Sequence, residues 1–194
     1  MIRTLKSFKQ LLKWQREHIN GWVKGQHIRL TNPYAKIGSP IVWAYDDAEM
    51  IEIGTYASIG AFSEIVVCTK PSKSKILGRL IIKENVVIGS QANIRAAGGE
   101  IFIGKNSIIA QQVSLIASNH RISKEGNYLS LPWDESKTGI FIDENTWIGA
   151  GVVILPGCSI GRNSIVGAGS VVTKSIPSDE IWVGVPAQKM KGII

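Results

Sequence analysis

From Ile142 onward an aliphatic residue returns at every sixth position, as Ile142, Ile148, Ile154, Ile160, Val166 and Val172. That period matches neither the 3.6-residue repeat of a helix nor the two-residue alternation of a strand, and it is the signature of a hexapeptide solenoid. Within the same frame the fourth position reads Asn145, Gly151, Gly157, Asn163 and Gly169, the residue types that tolerate positive φ most readily. Each repeat is therefore expected to end in a left-handed corner. The second position is often glycine (Gly149, Gly161, Gly167), and the fifth is small or β-branched (Thr146, Val152, Cys158, Ser164, Ser170). A narrow, closely stacked coil with three short flat faces per turn satisfies all of these constraints.

The repeat starts weakly with Ile53, Ile59 and Ile65 and breaks at the Lys/Ser-rich stretch from Thr69 to Lys75, which reads as a surface loop. Register resumes at Ile82, Ile88 and Ile94, slips at Ala97-Gly98-Gly99, and resumes again at Ile103, Ile109 and Leu115. Asn85 and Asn106 hold the corner slots of these earlier repeats. One long interruption separates Leu115 from Ile142 and carries Asn119, His120, Arg121, Glu125, Tyr128, Trp133 and Asp134. Loops longer than about 12–15 residues are usually functional or disordered, and this one is too polar and aromatic for a mere connector. The expected organisation is a basic amphipathic segment over 1–30 and a coil over 31–194, with a loop over 119–140 and a tail over 177–194 that leaves the repeat at Pro177.

The first residues differ in kind. Arg3, Lys6, Lys9, Lys13, Arg16 and Lys24 stand against the single acid Glu17, and at helical spacing Leu5, Phe8, Leu12 and Ile19 share one stripe. Such a helix can lie on an anionic membrane or cover the apolar end of its own coil, which every solenoid must shield. Packing is the reading taken. Over all 194 residues, Lys+Arg 22 against Asp+Glu 15 gives a net charge of +7, which favours anionic partners without choosing among them. Cys68 and Cys158 form no CxxC or zinc pattern and read as free packing thiols. No apolar run approaches the roughly 18 residues of a membrane span, and the start MIRTLKSFKQ has no apolar signal core, so a cytoplasmic setting is expected, with peripheral inner-membrane contact open to the basic start.

Of three histidines, His18 and His27 lie in or just beyond the amphipathic start, leaving His120 alone at the junction of coil and loop. A neutral imidazole there can take a proton from a hydroxyl attacking an acyl group; a hydrogen-bonded surface histidine is the plain alternative. The stretches LIASNHRI, IFIDENTWIGAGVVILPGCSIGRNSIVGAGSVVTKSIP and VGVPAQKM, in that order and spacing, resemble the hexapeptide-repeat acetyltransferases, the group of galactoside, maltose, nodulation-factor and polysaccharide O-acetyltransferases. The resemblance covers nearly half the chain. It implies a mainly β fold, a left-handed parallel β-helix, a homotrimer, and acetyl-CoA held between neighbouring subunits without a metal.

Carried over residue by residue, the resemblance implies that His120 is the general base, that Trp147 lies beside the acetyl and acceptor positions, and that the Ala150 N–H is the oxyanion donor. It implies coenzyme A contacts at Trp147, Ala150, Ala168, Thr173 and Lys174, with Lys191 at the same phosphate end, and acceptor contacts at Asn93, Asn119 and Trp147. The amino-terminal region departs from the sugar acetyltransferases, so galactoside or maltose specificity is not carried over. The basic start, with Arg121, Lys124 and Trp133 in the loop, looks more like enzymes that acetylate capsule, lipopolysaccharide or other glycans, and an acidic glycan fits the charge.

Four other readings compete. An N-acyltransferase of an amino nucleotide-sugar uses the same coil and base with a different acceptor. A zinc enzyme of carbonic anhydrase type needs about three histidine ligands around an open position, and only His120 lies in the repeat region. A scaffold without catalysis does not need the long polar loop. Nucleic-acid binding is disfavoured because the aromatic residues are not interleaved with Lys and Arg as a stacking platform requires.

Overall fold

The computed structural model describes residues 20–193. The stripe Leu5, Phe8, Leu12 and Ile19, with His18, lies outside those residues. The rest is mainly β, in three sheets that the chain visits in rotation. The first sheet runs Lys36–Ile37, Ser58–Ile59, Val87–Ile88, Ile108–Ile109, Trp147–Ile148, Ile165–Val166 and Glu180–Val183. The second runs Val42–Tyr45, Glu64–Cys68, Asn93–Ala97, Ser114–Ile116, Val153–Ile154 and Val171–Val172, and the third Ile51–Ile53, Arg79–Ile82, Glu100–Ile103, Ile140–Ile142 and Cys158–Ile160. Neighbours within these runs are parallel, so each turn of chain lays one short strand on each of three faces.

The six-residue aliphatic positions all point inward. Ile142, Ile148, Ile154, Ile160, Val166 and Val172 are fully buried, as are Ile82, Ile94, Ile103, Ile109 and Leu115. They form one continuous core with Ile28 and Trp43. Removing water from such side chains stabilises the fold by about 1.5–3 kcal/mol each, more than any exposed ion pair on its surface contributes. Corner positions have positive φ as expected at Asn85, Asn106, Asn145, Asn163, Gly151, Gly157 and Gly169. The asparagines also bond to one another along the corner, Asn145 Nδ2 donating to Asn163 Oδ1 at 2.9 Å and Asn163 Nδ2 to Asp179 Oδ1 at 2.8 Å.

At the amino-terminal end a helix over 20–31 closes the coil. Gly25 and Ile28 are its buried residues, and Gly25 faces the Trp43 indole. Arg29 Nη2 donates to the Gly38 carbonyl at 2.6 Å, and the Lys24 ammonium donates to the Tyr45 carbonyl. No described helix is long and apolar enough to cross a membrane. Both thiols are free, and burial pushes the Cys158 thiol above its ordinary range.

Two boundaries differ from expectation. The loop ends sooner, because Ile140 is already a buried strand residue of the third sheet. The stretch from 177 does not leave the coil as a tail. Ile181 and Trp182 pair in parallel with Ile165 and Val166, then Gln188–Gly192 folds back antiparallel on Glu180–Val183. Buried Trp182 takes the inward slot that an aliphatic residue fills elsewhere, so the hexapeptide period disappears while the coil continues.

Candidate active site

His120 lies just past the second-sheet strand Ser114–Ile116, where the chain leaves the coil. Its backbone is fixed by a short antiparallel ladder that pairs Asn119 with Asp134 and His120 with Trp133. The Trp133 ring stands edge-on to the imidazole, centroids 6.2 Å apart and planes at 74°. Trp133 itself is seated over Gly98, where a Cβ would come within 2.5 Å of the indole. Any larger residue at 98 displaces the ring that faces His120. The imidazole is exposed, and no side chain among the described residues is hydrogen-bonded to it. Asp134 does not serve as its partner: hydrogen bonds from Ser136 Oγ at 2.6 Å and Ser136 N at 3.0 Å hold its carboxyl below the ordinary carboxylate range.

Trp147 occupies an outward position of the first sheet, between Ile108 and Ile165 in register, with 53% of its surface exposed. The chain then turns toward the second sheet through Gly149-Ala150-Gly151. One turn later Gly167-Ala168-Gly169 makes the same corner, and Gly169 N donates to the Ala150 carbonyl at 2.8 Å. The Ala150 and Ala168 N–H groups donate to no acceptor among the described residues. Ala150 is half-buried and Ala168 exposed, so this corner leaves two N–H groups open to water or to a bound acceptor.

Thr173 and Lys174 follow the last second-sheet strand and are exposed. The Lys174 ammonium lies 5.1 Å from the Trp182 ring centroid and 3.3 Å from Gln188 Oε1, which places it on an aromatic support rather than loose in solvent. Lys191 is exposed on the final strand, opposite Ile181. Asn93 faces outward on the second sheet between Glu64 and Ser114, and its Oδ1 is buried without a hydrogen-bond partner. Asn119 is exposed beside His120.

A single chain brings only some of the predicted set together. Asn93 and His120 belong to the second-sheet side, Ala150 and Ala168 to the corner before it, and Thr173 and Lys174 to the corner after it. Trp147 stands apart on the outer face of the first sheet. Sequence reasoning missed what supports the hairpin. The Lys73 carbonyl accepts from Trp133 N at 2.9 Å, and Glu135 Oε1 accepts from Ser74 Oγ at 2.8 Å and Lys75 N at 2.6 Å. A signal did exist: the breaks at 69–75, 97–99 and 119–139 all fall between a second-sheet and a third-sheet strand, so every insertion emerges at one corner.

Residues 139–174 match the family described as bacterial transferase hexapeptide (six repeats). Those residues carry the hexapeptide repeat of that family. Over 97 residues the chain is 41% identical to galactoside O-acetyltransferase of Escherichia coli (strain K12), a match covering 48% of this chain and 44% of that one. Over 120 residues it is 32% identical to a putative lipopolysaccharide biosynthesis O-acetyl transferase of the same strain, covering 59% and 61%. The chain thus spans about half the length of the curated relatives it matches. In fold it is similar to AntD, an N-acyltransferase from Bacillus cereus solved with dTDP and 3-hydroxybutyryl-CoA, at a TM-score of 0.66 and 20% identity over 87% of this chain and 88% of that one.

Proposed function

We propose that this chain is an acetyl-CoA-dependent O-acetyltransferase acting on a hydroxyl of a bacterial surface polysaccharide, capsule or lipopolysaccharide, or its precursor. The observation that carries the reading is His120 held at the base of a braced hairpin where the coil is interrupted, in a chain whose sequence relatives are named O-acetyltransferases. The acceptor hydroxyl gives its proton to His120 as its oxygen attacks the thioester carbonyl carbon. The C–S bond then breaks, and the coenzyme thiolate recovers the proton from the imidazolium. No acyl-enzyme forms. The unpaired Ala150 N–H faces charge that develops on the carbonyl oxygen, a stabilisation of about 3 kcal/mol for a fixed donor.

The same proposal includes a left-handed coil, a homotrimer and a site shared between subunits. Its support is the outer row of the first sheet, Val87, Ile108 and Trp147, apolar and about half exposed, which is surface that a second copy would cover. Trp147, Ala168, Thr173, Lys174 and Lys191 would line the coenzyme side, and Asn93 and Asn119 the acceptor side. Lys73, Lys75, Arg121, Lys124 and Lys137 in the two loops favour an acidic acceptor. A cytoplasmic place, where acetyl-CoA is made, and a peripheral membrane contact through the basic start belong to the same proposal.

The test is thiol release from acetyl-CoA across acidic and neutral glycans, amino and hydroxy nucleotide-sugars, and water alone. A hydroxyl acceptor is expected to be required, and His120→Ala to lower turnover by about 10²–10⁴-fold. Transfer to an amine alone would replace this reading with N-acyltransfer, and a His120→Ala trimer with wild-type turnover would remove the base assignment.

A further inference from the structure

The two insertions, 69–78 and 119–139, leave the coil at the same corner, separated by the turn that contains Asn93–Ala97. They meet. The first is anchored where it departs: Asp46 Oδ1 accepts from Thr69 N at 2.9 Å, and Asp46 Oδ2 accepts from Lys70 N at 3.3 Å. At its far end it meets the second insertion through the Lys73 carbonyl on Trp133 N and through Glu135 on Ser74 and Lys75 N. Trp133 is in turn the residue paired with His120 and set edge-on to its ring. A continuous path of backbone and carboxylate contacts therefore runs from Asp46 through the first loop to the imidazole. Among the described residues the Glu135 carboxylate is the charged group that accepts hydrogen bonds across the junction of the two loops, and a hydrogen bond to a charged acceptor is about twice as strong as a neutral one.

We infer that Glu135 is a positioning residue, whose carboxylate clasps loop 69–78 to the hairpin and thereby fixes where Trp133 holds His120. This rests on the proposed transferase reading for its effect on turnover, but not for the clasp itself. Asp46 anchors only the departure of the first loop; where the two loops meet, the other hydrogen-bonding partner groups are backbone or a neutral hydroxyl, so the Glu135 carboxylate is the point where one substitution opens the junction without touching the coil core. An active-site group moved by about 1 Å can cost up to roughly a hundredfold in rate.

The experiment compares wild type, Glu135→Ala and Glu135→Gln by amide hydrogen exchange at Lys75 and Trp133, thermal unfolding, and steady-state transfer from acetyl-CoA. Glu135→Ala is expected to speed exchange at both amides and to lower kcat by roughly ten- to a hundredfold with the KM for acetyl-CoA unchanged and the coil's melting intact. Glu135→Gln, whose amide oxygen accepts from the same two donors, is expected to restore most of the loss. Unchanged exchange in Glu135→Ala overturns the clasp, and faster exchange with unchanged kcat overturns the positioning role. So does a glutamine variant no better than alanine. If wild type transfers to no acceptor, the transferase reading fails, while exchange at Lys75 and Trp133 still decides the clasp.

Discussion

A Cβ built on Gly149 would lie 2.6 Å from the Ala168 amide nitrogen and 2.8 Å from the Val166 carbonyl oxygen, backbone atoms that cannot swing aside. Two residues later, Gly151 has φ +67° and nothing within 4 Å of where its Cβ would be. The first glycine is there because coils stack closely, the second because the corner is left-handed. Gly151→Ala is accordingly expected to cost about 1 kcal/mol, the penalty of an L-residue in that conformation. Gly149→Ala must push neighbouring turns of the coil apart and is expected to cost about 2–3 kcal/mol, as overpacking does. Midpoints of urea unfolding check both, and equal losses would mean that the close approach is not the constraint at 149. The Gly149 variant should also weaken acetyl-CoA turnover, because the displaced backbone carries the Ala150 N–H.

Among elements, the hairpin that bears His120 depends on a charge. The Lys75 amide and then the Ser74 hydroxyl hold the Glu135 carboxyl below its ordinary value of 4.5. A carboxylate whose folded-state pKa is depressed contributes stability that is present above the unfolded value and is lost as pH falls through the folded one. The clasp should therefore hold at neutral pH and release in acid below pH 4.5. The Trp133 resonances, followed against pH, are expected to shift in that window in wild type and to lose this step in Glu135→Gln, with the Asp134 titration common to both. Superimposable curves would show that Glu135 does not govern the junction. The coil itself was legible because inward slots return after six residues within each uninterrupted run and the Asn and Gly corners, such as Asn85, Asn145 and Gly169, advertise positive φ. Tyr56, Phe62, Gln91 and Gln112 adopt the same left-handed corner, yet nothing in those residue types announces it. Neighbouring turns impose it there, as where Gln112 N donates to the Ser90 carbonyl at 3.0 Å. Likewise Glu135 and Lys75 lie 60 residues apart, and no local pattern links them; the sequence names His120, Trp147 and the small corner residues as candidates, but not the contacts that support the hairpin.

At the level of the whole molecule, Trp147 and His120 lie on different sides of one coil, so a site that uses both draws them from two copies. A ring of three identical chains makes head-to-tail contacts of this kind. Mixed assembly distinguishes a shared site from two unrelated residues. On the proposed homotrimer with a shared site, His120→Ala chains and Trp147→Ala chains are each expected to be nearly inactive alone. Unfolded together in equal amounts and refolded, they should regain activity, because a Trp147→Ala chain supplies an intact histidine to a site where its neighbour supplies an intact tryptophan. Random assembly makes about one site in four intact in this way for a closed head-to-tail ring, so about a quarter of wild-type turnover should return. No recovery in mixtures that sediment as trimers would place both residues in the site of a single chain, or leave Trp147 with only an interface to fill. Ile108→Glu gives the complementary result: a charge in the exposed apolar row beside Trp147 should yield monomers with an intact coil by circular dichroism and no transfer, since each monomer then carries both halves of a site on surfaces that cannot meet.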